Sequence, residues 1–415
     1  MITVEQALDI IRQNIPPAQF EKIPLTGSLG RVLAEDVFSD VDMPPFDKSA
    51  MDGYAVRSED IQSPPVELEV LEIVPAGSMP SKEVKPGKAI KIMTGAPVPR
   101  GADAVIMVES TKYEPSTRTV RCLNTITKDA NICFKSEDIK AGDMVVPRDT
   151  RITPQAVGLL AAVGKDKVLA YKYPSIAIAT TGDELVEVNQ KPKGAQIRNS
   201  NTYSLLAQLT NMGMPVTSLG IARDNIDIMT GKISEGLKSD ILILTGGVSM
   251  GDFDIVEDVF KRQGVKILFD KVAIKPGKPM VFGIAPKGQL VFGLPGNPVS
   301  AFVITEIFIK EALSILCNDP VLKNRIIEAE LSAPIESVSN RQQYLTARVK
   351  RSELRAVTPM NIGVATRVLS ECLVEPIEGH GSADIVSLSR ADAFIIVPPD
   401  SAPLPAGSRL KVMLL

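Results

Sequence analysis

The sequence contains no tryptophan and one histidine, and aromatic residues make up only 4% of it. Stacking platforms for bases are not expected on so few rings. The single imidazole, His380 between two glycines, argues against zinc sites of the Cys/His type and against histidine-based triads. Four cysteines, Cys122, Cys133, Cys317 and Cys372, lie far apart with no C-x-x-C pair. That pattern suits free thiols in a reducing cytoplasm, not a disulfide framework. Runs of about 18 apolar residues are missing too. The longest candidate, "PVSAFVITEIFIKEALSIL", carries Glu306, Lys310 and Glu311 and reads as a buried amphipathic helix. The start, "MITVEQALDIIRQNIPPAQF", has acids inside an amphipathic pattern and lacks the basic head and apolar centre of a signal peptide. A net charge of −3 offers nucleic acid no basic surface. These absences leave a cytoplasmic protein with neither a nucleic-acid nor a membrane partner. Its chemistry has to come from carboxylates, lysines, hydroxyls and backbone amides.

What is present is an ordinary globular composition, 44% hydrophobic and 23% charged over 415 residues. That length exceeds one core and suggests about two to four domains. Residues 1–14 read as a helix with Thr3 as its N-cap. From 24 to 172, short alternating segments such as "AIKIMTGAPV" and "DAVIMVEST" lie between Pro/Gly clusters and predict β-rich modules. Helical spacing near 154–163 marks a second small module there. At Pro174 the pattern changes. Apolar runs ("SIAIATTGDEL", "ILILTGGVSMGDFD", "QLVFGLPGNP") alternate with helices expected near 201–211, 225–237, 254–262 and from 298. Such alternation predicts a parallel sheet covered on both faces. Beyond 322, "RQQYLTARVK", "DAFIIVPPD" and "SRLKVMLL" predict a small β domain.

Ligands of parallel α/β sheets sit beyond the carboxyl ends of the strands. Three strands here end in unusual turns: "TTGDEL", "TGGVSMGDFD" and "LPGNP". The first two are expected to present amide N–H groups at helix starts, a setting for phosphate. In the third, Asn297 capping a helix with Pro298 at its first position is a complete structural explanation. Lys275 and Lys278 flank a Pro-Gly turn and are either solvated or point charges gripping an oxyanion. Asp183, Glu184, Asp252 and Asp254 fall at neighbouring strand ends; such acids repel one another unless a cation intervenes. Hard oxygen donors without histidine point to magnesium, with helix capping the alternative for Asp183 and Asp254. In the N-terminal half, Asp52-Gly53, Thr94-Gly95 and the pair Glu137 and Asp138 can each be a plain turn. The apolar residues Pro44, Pro45, Phe46 and Met51 beside those acids are not explained that way.

Taken together, "PPFDKSAMDGYAV", "IMTGAPVP", "EDIKAGD", "TTGDEL", "TGGVSMGDFD", "IKPGKP" and "GLPGNPVSA" resemble, in the same order, the motifs of the molybdopterin molybdenumtransferase (MoeA) family, which includes the E domain of gephyrin. The likeness covers residues 1–320 strongly and continues weakly to the C-terminus. It implies a multidomain α/β plus β architecture in four parts. These are a small linker domain (24–42 with 142–173), a β-rich domain (43–141), an α/β molybdopterin-binding domain with a parallel sheet (1–23 with 174–322) and a C-terminal barrel-like β domain (323–415). It further implies the last step of molybdenum cofactor synthesis: molybdate enters adenylated molybdopterin, and AMP leaves by Mg²⁺-dependent cleavage of the diphosphate. Functional acids would then be Asp52, Asp138, Glu184, Asp224 and Asp254, with Thr94 as the hydroxyl. Lys275 and Lys278 would hold oxyanions, and Gly246, Gly247, Ser249, Pro295 and Pro298 would form the substrate loop. The metal would lie on Asp183, Glu184 and Asp254. A homodimer with its active site shared between subunits is implied, with molybdopterin adenylyltransferase and acceptor molybdoenzymes as partners. Two positions depart from the pattern: Cys133 and Phe134 stand where arginine and glycine are usual, and Asn199 where aspartate is common. A catalytically reduced binding or scaffold protein of the same family is the alternative.

Overall fold

Along Ile176–Thr181 and Ile241–Thr245 every residue is apolar or threonine, so both faces of these strands must be covered. They are. Ile176, Ile178, Ile241 and Ile243 point into one core cluster, shared with Val4, Ala7 and Ile11 of the first helix. Ala177, Ala179, Leu242 and Leu244 point into another, shared with Met229, Ile233, Val256 and Phe260. Each fully buried branched side chain here contributes about 1.5–3 kcal/mol. The structure, a computed structural model, describes residues 1–247, 253–336, 339–351 and 372–415. It comprises two compact units, one of Met1–Lys22, Gly30–Val32 and Leu169–Leu415, the other of Ile23–Leu29 and Leu33–Val168.

In the larger unit the central sheet runs Val216–Ala222, Ile176–Thr181, Ile241–Thr245, Leu290–Leu294, Pro279–Ile284, Lys266–Lys271. The first four strands are parallel, and Pro279–Ile284 is antiparallel to both of its neighbours. The expected parallel sheet is present, with this one strand reversed. Only residues 285–289 join Pro279–Ile284 to Leu290–Leu294, a connection that suffices for a hairpin and not for a crossover. The flanking helices are Asn201–Asn211, Ile226–Gly236, Phe253–Arg262 and Pro298–Ile304. Helix Val4–Gln13 starts at Thr3 with a capping box whose second member is Gln6.

The helix expected from residue 298 is interrupted. Thr305–Ile309 is a π-helical stretch before Lys310–Leu316. Within it Glu306 is buried, with Lys310 at 2.8 Å and the Gln208 amide at 2.7 Å. The same unit ends in a closed barrel of five strands, Ile326–Leu331, Gln342–Arg351, Cys372–Pro376, Ala393–Val397 and Arg409–Leu414. Two of these, Ile326–Leu331 and Cys372–Pro376, lie outside the segments expected as strands. Among the described residues no helix is long and apolar enough to cross a membrane.

The smaller unit is built on a six-stranded sheet in the order Ala104–Met107, Gly53–Val56, Lys88–Ile92, Val66–Val74, Thr119–Cys122, Thr111–Glu114. Tyr54, Val56, Leu68, Ile106 and Val120 form part of its core. Helix Pro154–Ala162, capped by Thr153, belongs to this unit.

Candidate active site

Three adjacent strands of the central sheet end level with one another. Thr180 pairs with Thr245, and Thr245 with Leu294, so the turns that follow leave the sheet side by side. The Gly246 amide donates to the Leu294 carbonyl at 3.0 Å. Asn201 ties the second and third turns together, donating to Thr245 Oγ1 at 2.9 Å and to the Gly296 carbonyl at 2.8 Å. Gly246 and Gly247 both have left-handed φ, +92° and +65°. A Cβ at Gly246 would stand 2.3 Å from the Thr181 carbonyl oxygen, and one at Gly247 would stand 2.6 Å from Thr181 Oγ1. Backbone conformation and close approach thus both demand glycine.

These turns line a cleft of about 730 Å³, together with Lys275, Lys278 and part of the C-terminal barrel. From the first turn comes Glu184 and from the end of Val216–Ala222 comes Asp224; both line the cleft. Glu184 is placed through its backbone. Arg223 Nη1 donates to the carbonyls on either side of it, Asp183 at 2.8 Å and Leu185 at 3.2 Å. Its carboxylate folds over Gly182, where a Cβ would come within 2.5 Å of Oε2. Asp183 does not line the cleft; its carboxylate accepts from the Asp224 amide at 3.2 Å, while Asp224 accepts from the Asp183 amide at 3.3 Å. The helix start expected at this turn is not there; the turn runs into the two-residue strand Leu185–Val186.

Lys275 is half-buried and Lys278 exposed on their turn. Gly277 lies between them at φ +107°, and a Cβ on it would meet Ile304 at 2.9 Å. Arg341 donates to the Ile274 carbonyl at 3.1 Å and lines the same cleft. Pro295 lines it as well, whereas Pro298 heads the next helix without reaching the cleft wall. Asn297 is that helix's N-cap residue, yet its side chain does not cap. It donates instead to Ser382 Oγ at 2.8 Å, on a barrel loop that also lines the cleft. Ser249 and Asp252 lie outside the described residues, as does the side chain of Asp254.

In the smaller unit the three N-terminal motifs meet. Lys48 bridges Pro97 and pairs with Cys133, and the Ser49 amide donates to the Ala96 carbonyl at 2.9 Å. Asp52 Oδ1 accepts from the Thr94 amide at 2.7 Å and from its hydroxyl at 2.8 Å. The amide bond is the main reason the Asp52 carboxyl lies below its ordinary pKa, with the hydroxyl next. Asp138 is held by its amide on the Met43 carbonyl, at 3.0 Å.

Residues 2–164 match the family described as MoeA N-terminal region (domain I and II), residues 177–315 a probable molybdopterin binding domain, and residues 328–415 the MoeA C-terminal region (domain IV). The molybdopterin molybdenumtransferase of Staphylococcus aureus strain Mu50 is 34% identical over 420 residues, spanning 100% of this chain and 95% of the relative. That of Staphylococcus epidermidis strain RP62A is 33% identical over 418 residues, with the same coverage. A solved molybdopterin biosynthesis moeA protein of Pyrococcus horikoshii superposes with a TM-score of 0.76 at 30% identity, covering both chains completely. The chain belongs to the molybdopterin molybdenumtransferase (MoeA) family.

Within this MoeA chain four motifs gather at the sheet edge; of the N-terminal three, the Asp52 and Thr94 motifs bond each other, and the Asp138 motif joins the chain at Met43. Of the two departures, Asn199 is buried. Its amide donates to Thr202 Oγ1 at 3.0 Å and its oxygen accepts from the Thr202 amide at 3.2 Å, away from the cleft wall. Cys133 sits in a short strand, its thiol pushed up by burial and by Glu137. Residues that sequence reasoning missed are Arg223, which pins the Glu184 turn, and Arg341 and Ser382, which the barrel brings to the cleft. Among the described residues no three His, Cys, Asp or Glu side chains gather as a metal site. Glu184 and Asp224 nevertheless give the cleft two hard-oxygen donors. That set fits magnesium, which usually takes one or two carboxylates and fills its shell with phosphate and water.

Proposed function

We propose that this chain catalyses the last step of molybdenum cofactor synthesis. It places molybdate on adenylated molybdopterin and releases AMP in a Mg²⁺-dependent hydrolysis. The observation that carries this reading is the segregation of chemistry around one cleft: backbone bare of side chains at Gly246 and Gly247, the cations Lys275, Lys278 and Arg341, and the carboxylates Glu184 and Asp224. Bared amides suit a phosphate, because the ligand's oxygens approach without meeting a side chain. Two ammonium groups suit molybdate, a dianion. Glu184 and Asp224 would hold Mg²⁺, which when bound neutralises charge on the diphosphate. Hydrolysis adds one water across the P–O–P bridge and leaves AMP and the pterin monophosphate.

In this reading the protein is a homodimer, and the Asp52–Thr94 corner of one copy serves the cleft of the other. Molybdopterin adenylyltransferase supplies the substrate and acceptor molybdoenzymes take the product. The scaffold alternative gains no specific support, since Asn199 is engaged in local packing and is not a missing cleft carboxylate. Purified protein given adenylated molybdopterin, molybdate and Mg²⁺ is expected to release one AMP per cofactor formed. Nucleotide left intact over many enzyme equivalents would favour the scaffold.

A further inference from the structure

Among the described residues, four buried side-chain polar atoms have no hydrogen-bond partner: Arg31 Nε, Gln208 Oε1, Asn324 Oδ1 and Thr181 Oγ1. The first three belong to side chains anchored by another atom. Arg31 donates to Glu21 and to the Tyr171 carbonyl, both at 2.6 Å, and lies 4.1 Å from the Tyr173 ring centre. Gln208 and Asn324 donate their amide nitrogens to Glu306, at 2.7 and 2.8 Å. Thr181 has no such anchor: its hydroxyl, able to rotate and both donate and accept, pairs with nothing. The neighbouring threonines at these strand ends are satisfied. Thr180 Oγ1 lies 2.5 Å from Thr202 Oγ1, and Thr245 Oγ1 donates to the Pro295 carbonyl at 3.1 Å. The exception therefore has a local cause.

Thr181 is 2% exposed and lines the cleft. Against its hydroxyl lies the backbone of Gly247 in left-handed conformation, so close that a Cβ there would stand at 2.6 Å. We propose that Thr181 is a positioning residue for the ligand. Its hydroxyl gains its missing hydrogen bond from the Gly246–Gly247 turn when the phosphate of an adenylated pterin settles on that turn. The inference rests on the function proposed above and adds the residue through which the turn is held. Three observations support it. A buried hydroxyl left unpaired destabilises the ligand-free protein. The two glycines beside it are the residues whose peptides reorient most readily. A phosphate takes its donors from just such a turn.

The test uses Thr181→Val, which keeps the branched shape of a strand residue and removes the hydroxyl, and Thr181→Ser, which keeps the hydroxyl. Adenylated molybdopterin is titrated by calorimetry in EDTA, where it binds without turning over, and the ligand-free Tm is measured. The valine variant is expected to melt about 1–2 °C above wild type, since an unpaired group is gone. Its affinity is expected to fall roughly tenfold, the worth of one hydrogen bond, and serine to restore it. Valine that melts lower and binds as wild type would show a merely structural threonine and overturn the proposal. If the wild type binds the nucleotide and releases AMP while valine matches it in affinity, the inference fails alone. Wild-type protein that binds no adenylated molybdopterin would overturn both readings.

Discussion

The sheet edge and the Asp52–Thr94 corner present their acids in opposite ways. Asp52 is fixed through its carboxylate, one oxygen of which takes both an amide and a hydroxyl hydrogen bond from Thr94. Glu184 is fixed through its backbone, by the two bonds that Arg223 makes to the flanking carbonyls and by the absence of a side chain at Gly182. Its own carboxylate stays exposed on a cleft that also holds Lys275 and Lys278. A carboxylate satisfied by protein donors is a fixed charge, ionised throughout the neutral range. One held only by its backbone keeps its oxygens for a ligand.

The contrast predicts unequal losses. Glu184→Gln keeps the size and the backbone bonds but halves the ionised donors that the described cleft offers, so AMP release should drop by about 100-fold or more. The variant's Tm should stay close to wild type, because Arg223 bonds to backbone atoms. A near-normal rate would break the comparison. Asp52→Asn should lose less, roughly tenfold, since a carboxamide oxygen can still accept from the Thr94 amide. Thr94→Val loosens the same carboxylate, so the double variant should be little worse than Asp52→Asn alone, as residues acting as one unit are not additive. Fully multiplied losses in the steady-state rates would mean that the two side chains act separately.

How far the sequence disclosed this arrangement depends on the range of the interaction concerned. Apolar runs ending in glycine turns are local patterns, and they placed the three level strand ends and the helices between them. The seven motifs likewise singled out Gly246, Lys275 and Glu184, all of which line the cleft. Side-chain direction was not legible. Asp183 and Glu184 are neighbours in sequence, yet one bonds the Asp224 amide and the other lines the cleft, a choice made by Arg223 about 40 residues away in the chain. Asn297 looked like a helix cap until a serine 85 positions later offered its amide a partner. The reversed strand Pro279–Ile284 followed from a short connection that apolar periodicity does not weigh. The barrel's share of the cleft was not legible either: "RQQYLTARVK" reads as a strand, yet nothing in it says that Arg341 at its head and Tyr344 within it face the sheet edge, and Ser382 lies on a loop with no periodic signal.

The smallest expected effect tests whether a satisfied acid behaves as the Asp52 kind should. Asp384 caps the short helix Ile385–Ser389, accepting from the Val386 and Ser387 amides at 3.1 Å, and also from the His380 amide at 3.0 Å. The His380 bond is the largest cause holding its carboxyl down at about 2, below the ordinary 3.8. A folded-state pKa that is depressed contributes stability above the unfolded value and loses it as pH falls through the folded one. The contribution should therefore be complete at neutral pH and disappear between pH 3.8 and about 2. The His380 ring lies beside it, with Nδ1 3.5 Å from Asp384 Oδ2. Asp384→Asn should lower the Tm by about a degree or two at pH 6, since the carboxamide oxygen can still accept from the helix-end amides. The gap to wild type should close as the pH approaches 2. A gap that persists unchanged at low pH would place Asp384's contribution in its shape and not in its charge.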